Sequence, residues 1–212
     1  MGNFWHDKWE IFCMTNHQRP RRKKCRQCKE AFVPDRIGQK VCSPGCAIAA
    51  AQATRDRDRK RQQKADRERV KTPGQLKGEA QTAFNAYIRA RDAHRGCISC
   101  GTMTAGQYHA GHYRTRKAAP QIALGTWLSC LNVNKQCAQC NLFDSGNIAG
   151  QRRGLVERYG AGIVERLEGS HETVKRNADW YRRCRDIYRR RTRHITRLRE
   201  RMRANRGAVT DY

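Results

Sequence analysis

The sequence has no long apolar run and comparatively few acidic residues. No stretch of about 18 apolar residues occurs, so it offers no candidate for a membrane-spanning helix. The first ten residues mix aromatic and charged side chains and lack the apolar centre of a secretory signal. We therefore expect a protein of the cytoplasm with no membrane partner.

The shortage of acidic side chains leaves a large positive charge. Lys and Arg number 45 and Asp and Glu 19, which gives a formal net charge of +26 in 212 residues. Such a chain is expected to bind DNA or RNA, because neutralised phosphates release condensed counterions. An acidic protein or an anionic membrane surface is the alternative. Since only 38% of the residues are hydrophobic, small modules are expected instead of one large core.

Eight of the 11 cysteines fall in four close pairs. An odd total without a secretory signal argues against a disulfide framework, and paired cysteines in a reducing compartment indicate metal ligation. The first set is Cys25-x2-Cys28 with Cys42-x3-Cys46, and the second is Cys97-x2-Cys100 with Cys137-x2-Cys140. Each set offers four thiolates to one tetrahedral structural zinc. A buried or redox-active cysteine cluster is the alternative for the first set.

The pattern along the chain predicts a mostly α-helical protein with two small α+β zinc modules. The segments are a basic N-terminal arm (1–24), a four-cysteine zinc finger (25–50), a charged helical linker (51–74), a central domain (75–168) and a basic C-terminal helix (169–212). The linker is either a solvated helix or a disordered basic segment. Apolar spacing predicts an amphipathic helix over 75–95, two short helices around Gly160 and a long basic helix over 171–206. A short β-hairpin is predicted near 106–115.

Polar residues concentrate in the 36 residues inside the second cysteine set. His109 and His112 come first, Asn132 lies five residues before Cys137, and Asn141 follows the last cysteine directly. This order resembles an HNH or His-Me finger nuclease, a ββα unit in which a structural zinc often clamps the two ends. A closer resemblance covers nearly the whole chain. The stretches 85–92, 97–101, 110–114, 136–141 and 145–147, with the N-terminal cysteine set, are similar to the NinG/Rap recombination proteins of lambdoid phages.

The resemblance implies a role for each polar residue of this loop. His112 matches the general base, which takes a proton from attacking water. Asn132 matches the central Asn that orients the histidine, and Asn141 matches a ligand of a catalytic Mg²⁺ or Mn²⁺. Many His-Me fingers have Asp directly before the catalytic histidine, where this chain has Gly111. His109 is therefore a candidate second ligand, although strand alternation places it opposite His112 unless a bulge intervenes, and Asp144 is another candidate.

The function predicted from the resemblance is metal-dependent cleavage of branched recombination intermediates, including Holliday junctions and D-loops, in a bacterial host. The basic residues expected to contact DNA are Arg21, Arg22, Lys23, Lys24, Arg114, Arg116 and Lys135. A phage recombinase or single-strand-binding protein is a candidate partner, and a homodimer is a hypothesis based on the apolar seam of the C-terminal helix. A non-catalytic zinc-finger DNA-binding mediator or regulator is the alternative, favoured by Gly111. A basic protein associated with RNA or the ribosome is a third hypothesis.

Overall fold

The computed structural model describes residues 21–207, so the first 20 residues of the predicted arm and residues 208–212 lie outside it. The protein is mostly helical with two small two-stranded sheets, as the sequence predicts. It forms two compact units that divide between Val70 and Lys71. Between residues 21 and 207, no helix combines the length and the apolar character needed to cross a membrane.

The first unit is a cysteine module followed by one long helix. Strand β1 (Lys23–Lys24) pairs antiparallel with β2 (Ala31–Phe32), and the turn between them carries the first cysteine pair. Helix α1 (Pro44–Arg69) begins at Ser43, whose side chain accepts a hydrogen bond from the Cys46 N–H. Because Ser, followed by Pro at the first helical position, is a strong start signal, the second cysteine pair is fixed at the head of this helix.

Helix α1 is the predicted charged linker, and it has no buried residue. High intrinsic helix propensity and ion pairs one turn apart, such as Arg59 with Asp56 at 2.9 Å, maintain its 26 residues. Of the two states that the sequence left open, the structure shows the solvated helix.

The second unit is organised around two helices packed along each other, α2 (Pro73–Arg91) and α6 (Ala178–Gly207). A capping box between Thr72 and Gln75 starts α2. The buried face of α2 is Leu76, Ala80, Ala83, Phe84 and Ile88. The Phe84 ring meets Tyr188 of α6 edge-on, with ring centroids 4.8 Å apart. Trp180 and Cys184, the first two residues of the predicted apolar seam, pack in the same core as α2.

A two-stranded sheet packs against these helices. Strand β3 (Tyr108–His112) pairs antiparallel with β4 (Val133–Cys137) in an unbroken register that sets His112 opposite Val133. The hairpin predicted near 106–115 is therefore wrong, because β3 takes its partner from 20 residues further along the chain. The intervening segment contains a 3-10 turn (Pro120–Ile122) and the short helix α3 (Trp127–Asn132). Only tertiary packing could select this distant partner over a local turn.

Two further helices, α4 (Ile148–Tyr159) and α5 (Ala161–Glu168), meet at Gly160, whose φ of 86° suits glycine. They enclose a second apolar cluster of Tyr113, Ala119, Ile122, Leu155, Val164 and Leu167. Helix α4 approaches the second cysteine set closely, because a Cβ on Gly154 would lie 2.0 Å from the Ile98 carbonyl oxygen. The loop after β3 is thus held between this cluster and the α2–α6 pair.

Candidate active site and zinc centres

The second cysteine set assembles around the end of the β3–β4 sheet. The sulfurs of Cys97, Cys100, Cys137 and Cys140 all lie within 4.8 Å of one another. Cys97 and Cys100 form a tight turn closed by the Gly101 N–H and the Cys97 carbonyl (2.9 Å), Cys137 ends β4, and Cys140 lies on a short π-helical turn (Gln139–Phe143). This compact tetrad has the donor set of a closed structural zinc site.

Donors aimed at the sulfurs support thiolate ligation. The Cys137 N–H donates to Cys97 Sγ at 3.3 Å, and Asn147 Nδ2 donates to Cys140 Sγ at 3.3 Å. Burial raises the pKa of the Cys97 thiol, but N–H groups of Cys137, Cys100 and Ser99 outweigh it and lower that pKa to about 7. Burial raises the pKa of Cys137 and Cys140, so the fit to a zinc ion rests on the four gathered sulfurs and on the N–H groups that stabilise negative sulfur.

The first set gathers in the same way within the first unit. The sulfurs of Cys25, Cys28, Cys42 and Cys46 also lie within 4.8 Å of one another. Cys42 Sγ is 3.6 Å from both Cys28 Sγ and Cys46 Sγ, and the Cys42 N–H donates to Cys25 Sγ at 3.4 Å. Both cysteine sets are therefore compatible with the two predicted structural zinc ions.

His112, at the end of β3, lines a pocket of about 240 Å³. The pocket is bounded by the loop after β3, by β4 and by the π-helical turn, and its lining residues are His112, Thr115, Arg116, Gln136, Asn141, Ser145, Gly146 and Ile148. His112 Nε2 is buried and has no hydrogen-bond partner among the described residues. Because unpaired buried polar atoms are rare and cluster at functional sites, this nitrogen is suited to a partner from outside the chain.

The surroundings of His112 keep its imidazole neutral. Burial lowers the pKa of His112, and the positive charge of Arg116 lowers it further, whereas backbone hydrogen bonds at Ala110 and Ala123 raise it. The net pKa lies below the ordinary value of 6.5. A neutral ring near pH 7 can accept a proton, which is the form that a general base requires.

Asn132 is fully buried and clamps the chain two residues beyond His112. Its Oδ1 accepts from the Arg114 N–H at 2.7 Å, and its Nδ2 donates to the Arg114 carbonyl oxygen at 2.9 Å. The Asn132 carbonyl accepts from the Tyr113 N–H at 2.9 Å. These three bonds extend the strand pairing past His112 and fix the backbone that carries it. The geometry gives Asn132 the means to orient His112 without touching it.

Gly111 leaves no room for the aspartate found in many His-Me fingers. A Cβ built on Gly111 would lie 2.0 Å from Oε1 of Gln136, the cross-strand partner of His109. Gln136 is itself held, since its Nε2 donates to Ser99 Oγ at 2.7 Å. The glycine therefore accommodates a buried amide, and a carboxylate at position 111 would require Gln136 to move.

Of the two predicted ligands of the catalytic ion, the structure places only Asn141 in the pocket with His112. Asn141 lies on the π-helical turn, which also carries Cys140. The regular β3–β4 register contains no bulge and leaves His109 three positions from His112, outside the residues that line the pocket. His109 Nε2 is also buried without a partner among the described residues. Its role as a ligand stays a prediction.

The predicted DNA contacts differ in exposure. Arg21, Arg22, Lys23 and Lys24 are exposed, and so is Arg116 at the edge of the pocket. Arg114 is half-buried beside Asn132. The prediction for Lys135 is wrong, because this side chain is 5% exposed, its Nζ lies 4.2 Å from the Tyr108 ring centroid and it donates to the Ala93 carbonyl at 3.4 Å. Both faces of β4 are buried, so Lys135 lies in the interior because of tertiary packing, which the local sequence does not reveal.

Three polar residues that support the site were not singled out in the sequence. Gln136 lines the pocket, and Gln151 Nε2 donates to the Gly111 carbonyl at 3.3 Å. The fully buried Asp92 accepts from the Lys135 N–H at 3.1 Å and pairs with Arg91 at 2.6 Å. Nothing in the local pattern distinguishes these residues from solvated polar side chains, because their burial comes entirely from tertiary contacts.

A family model described as Bacteriophage Lambda NinG protein matches residues 17–200 of the chain. Two curated relatives, each named "Protein ninG", come from Salmonella phage P22 and Escherichia phage lambda. They are 36% and 35% identical to this chain over 170 and 173 residues. The chain belongs to the NinG family of lambdoid phages. The alignments cover 72% of this chain, with 82% and 83% of the two relatives. No solved structure matches this member of the NinG family.

The match to the NinG family includes both cysteine sets, the His112 pocket and most of α6, since all of them lie within residues 17–200. The family resemblance predicted from the sequence is thereby confirmed. It identifies a phage protein related to recombination, and it leaves the chemistry of the pocket to be argued from the residues themselves.

Proposed function

We propose that this protein is a metal-dependent, structure-specific DNA endonuclease that acts on branched recombination intermediates such as Holliday junctions and D-loops. The observation that carries the proposal is the His112 pocket, where an imidazole nitrogen without a partner among the described residues shares a cavity with Asn141 while Asn132 clamps the adjoining backbone. The arrangement of β3, β4 and the turn bearing Asn141 supports a ββα nuclease core clamped at one end by a zinc ion.

His112 acts in this proposal as the general base. Its unpaired Nε2 accepts a proton from the water that attacks the scissile phosphorus, and its lowered pKa favours the unprotonated nitrogen at neutral pH. The bond from phosphorus to the 3′ oxygen breaks and that oxygen takes a proton from solvent, which leaves 5′-phosphate and 3′-hydroxyl ends. Asn132 is a positioning residue, because it holds the Arg114 backbone and not the reacting atoms. Arg116, exposed at the pocket edge, is placed to contact a phosphate oxygen.

The pocket offers an unusual set of donors for a divalent cation. Asn141 and the hydroxyl and amide oxygens of Thr115, Ser145 and Gln136 line it, and no carboxylate does so among the described residues. Mg²⁺ or Mn²⁺ would offset negative charge at the scissile phosphate when bound. Because neutral oxygens hold such ions weakly, we propose that Asn141 supplies one ligand and that the DNA phosphate supplies the anionic ligand. His109 stays a proposed second protein ligand.

Sequence-independent contacts to the DNA backbone come from the arginine-rich helices in this proposal. Helix α1 exposes most of its basic side chains, and α6 exposes Arg189, Arg190, Arg193, Arg197 and Arg201. Backbone contacts of this kind suit recognition of branched structure over base sequence. We further propose that the protein acts in the cytoplasm of the bacterial host and that it cuts DNA as a homodimer. A phage recombinase or single-strand-binding protein is its proposed partner.

The test is cleavage of end-labelled four-way junction, D-loop and linear duplex DNA by the purified zinc-loaded chain in Mg²⁺ or Mn²⁺. The wild type is expected to cut the branched forms in a metal-dependent way. His112→Ala is expected to lose about 100-fold or more in rate and to retain DNA affinity, since general-base catalysis contributes roughly that much. His194→Ala, at an exposed histidine of α6, is the matched control and should cut normally.

Two results would contradict the proposal. Equal cutting by His112→Ala and wild type would remove His112 as the base, and would point to a contaminating nuclease. Tight binding of branched DNA without cutting in any metal would reject the endonuclease and support the non-catalytic mediator, in which the pocket serves only for binding.

A further inference from the structure

A second and larger pocket lies beside the His112 pocket and has no part in the chemistry described above. Its volume is about 400 Å³, within the range of small-ligand sites. Its walls come from α2, from the loop after β3, from residues 173–176 and from the start of α6. Arg116 lines both pockets, so the two are neighbours. We refer to it as the aromatic pocket.

The walls of the aromatic pocket combine rings with apolar side chains. Trp180 and Tyr181 line it, and both are half-buried. Pro120, Leu124 and Val174 add aliphatic surface. The guanidinium carbon of Arg176 lies 4.6 Å from the Trp180 ring centroid, which forms a cation–π pair within the wall. Flat apolar surface of this kind is what an unstacked nucleobase contacts.

The charge of the aromatic pocket is uniformly positive. Lys77, Arg116, Lys175 and Arg176 line it, and no acidic residue does so among the described residues. Lys77, Arg116 and Lys175 have no ion-pair partner in residues 21–207. Three uncompensated cations around an aromatic cavity are complementary to a ligand that carries both phosphates and a base.

The pocket also contains a polar group suited to a base edge. Gln121 lines it and donates through Nε2 to the His171 carbonyl and to Thr173 Oγ1, which fixes its amide. Its Oε1 is buried and has no partner among the described residues. A fixed, unpaired acceptor can take a hydrogen bond from an amino group of a base, and this removes the cost of leaving the oxygen unpaired.

We propose that the aromatic pocket binds an unpaired nucleotide of single-stranded DNA, held with its base against Trp180 and Tyr181 and its phosphates near Lys77, Lys175 and Arg116. The binding itself follows from the pocket, and its meaning for cleavage rests on the proposed endonuclease function. Since Arg116 joins the two pockets, a strand seated there enters the His112 pocket beside the phosphate to be cut. A duplex cannot supply this nucleotide without unpairing, so the pocket favours D-loops, which carry a displaced single strand, over linear DNA. A four-way junction supplies such a nucleotide where base pairs open at its crossover.

The first experiment is photocrosslinking with the full chain carrying His112→Ala, which separates binding from cutting. A single strand of about 12 nucleotides, long enough to span one such binding groove, carries one 5-iododeoxyuridine. This single strand is irradiated with the protein in one sample, and a duplex in which the same nucleotide is base-paired is irradiated with the protein in another. The crosslinked peptides of both samples are mapped by mass spectrometry. The expected crosslinks fall on Trp180 or Tyr181 and are at least about fivefold weaker for the duplex, since stacking of one base changes affinity by that factor or more. Crosslinks confined to α1 or to the exposed arginines of α6 would overturn the proposal, as would equal yields with duplex.

The second experiment compares two charge-matched double variants by fluorescence anisotropy at fixed salt. Lys77→Gln with Lys175→Gln removes two exposed cations of the aromatic pocket, and Arg189→Gln with Arg193→Gln removes two exposed cations elsewhere on α6. Both pairs should weaken duplex binding to a similar extent. The first pair should weaken single-strand binding at least about threefold more than the second, and equal losses would contradict the proposal. Crosslinking of the His112→Ala chain as expected, together with no cutting of branched DNA by the wild type in either metal, would retain the pocket and reject the endonuclease.

Discussion

Replacing Asn132 with aspartate tests how the candidate site holds its backbone. The change keeps the shape of the side chain and exchanges one donor for an acceptor. One carboxylate oxygen takes the place of Oδ1, 2.7 Å from the Arg114 nitrogen, and still accepts its N–H. The other takes the place of Nδ2 and faces the Arg114 carbonyl oxygen at 2.9 Å, where only a donor fits. Asn132 is fully buried, so solvent cannot relieve this contact.

The cost of the substitution should depend on pH. Burial and the facing carbonyl both favour the protonated acid, so the folded-state pKa of the new carboxyl should rise roughly 2 to 3 units above the unfolded value near 3.9. Each unit corresponds to about 1.4 kcal/mol, which gives a loss of about 3 to 4 kcal/mol at pH 7. Because the folded pKa is raised, the folded state binds the proton more tightly. The loss is therefore small near pH 4 and grows as pH rises through the folded pKa.

The assay is urea unfolding of Asn132→Asp and of the wild type at matched pH values from about 5 to 8, a range that spans the raised pKa. The quantity compared is the difference between their free energies of unfolding at each pH. The difference should widen by about 1.4 kcal/mol per pH unit until the folded pKa is passed.

Asn134→Asp is the control, since Asn134 is also fully buried but its Nδ2 donates to the Leu131 carbonyl, outside the Arg114 clamp. It should also lose stability, yet at matched folded fraction it should cut branched DNA faster than Asn132→Asp. A pH-independent loss for Asn132→Asp would refute the assigned hydrogen bonds.

Four other predictions concern the zinc, the buried ion pair, the buried Lys135 and the titration of the site. Removing zinc with a strong chelator should unfold both cysteine modules, which circular dichroism would show as a lower melting temperature, and an unchanged melt would contradict the zinc sites. Asp92→Ala should cost about 2 to 3 kcal/mol in chemical unfolding, because it removes the fully buried carboxylate that pairs with the half-buried Arg91 and accepts from the Lys135 N–H. Lys135→Met should leave the salt dependence of DNA binding unchanged, because Lys135 is buried. The cleavage rate should fall with acid only below about pH 6.5, because the pKa of His112 is lowered from that ordinary histidine value. Arg116→Gln should raise the pKa of His112 and so move the acid limb of the pH–rate profile to higher pH. A limb that stays in place would show that Arg116 does not influence His112.

Local sequence determined the cysteine modules and most of the helices. Two cysteine pairs with two or three residues between their members offer four thiolates to one metal ion, and both sets gather as predicted. Helix α2 follows from its capping box and its apolar spacing, and the break at Gly160 follows from a backbone that suits glycine. These features depend on neighbouring residues, so the sequence alone suffices to predict them.

Tertiary structure alone decided the partner of β3 and the environment of the polar residues. The strand could not be paired from sequence, because its partner follows 20 residues later and is fixed by the second cysteine set and by Asn132. Whether Lys135 contacts DNA or packs on Tyr108 depends on whether tertiary contacts cover its side of β4, and here they bury every residue of that strand. Likewise, the glycine at position 111 is explained only by the Gln136 side chain across the sheet. Such facts are set by contacts between residues distant in the chain, and sequence periodicity carries no record of them.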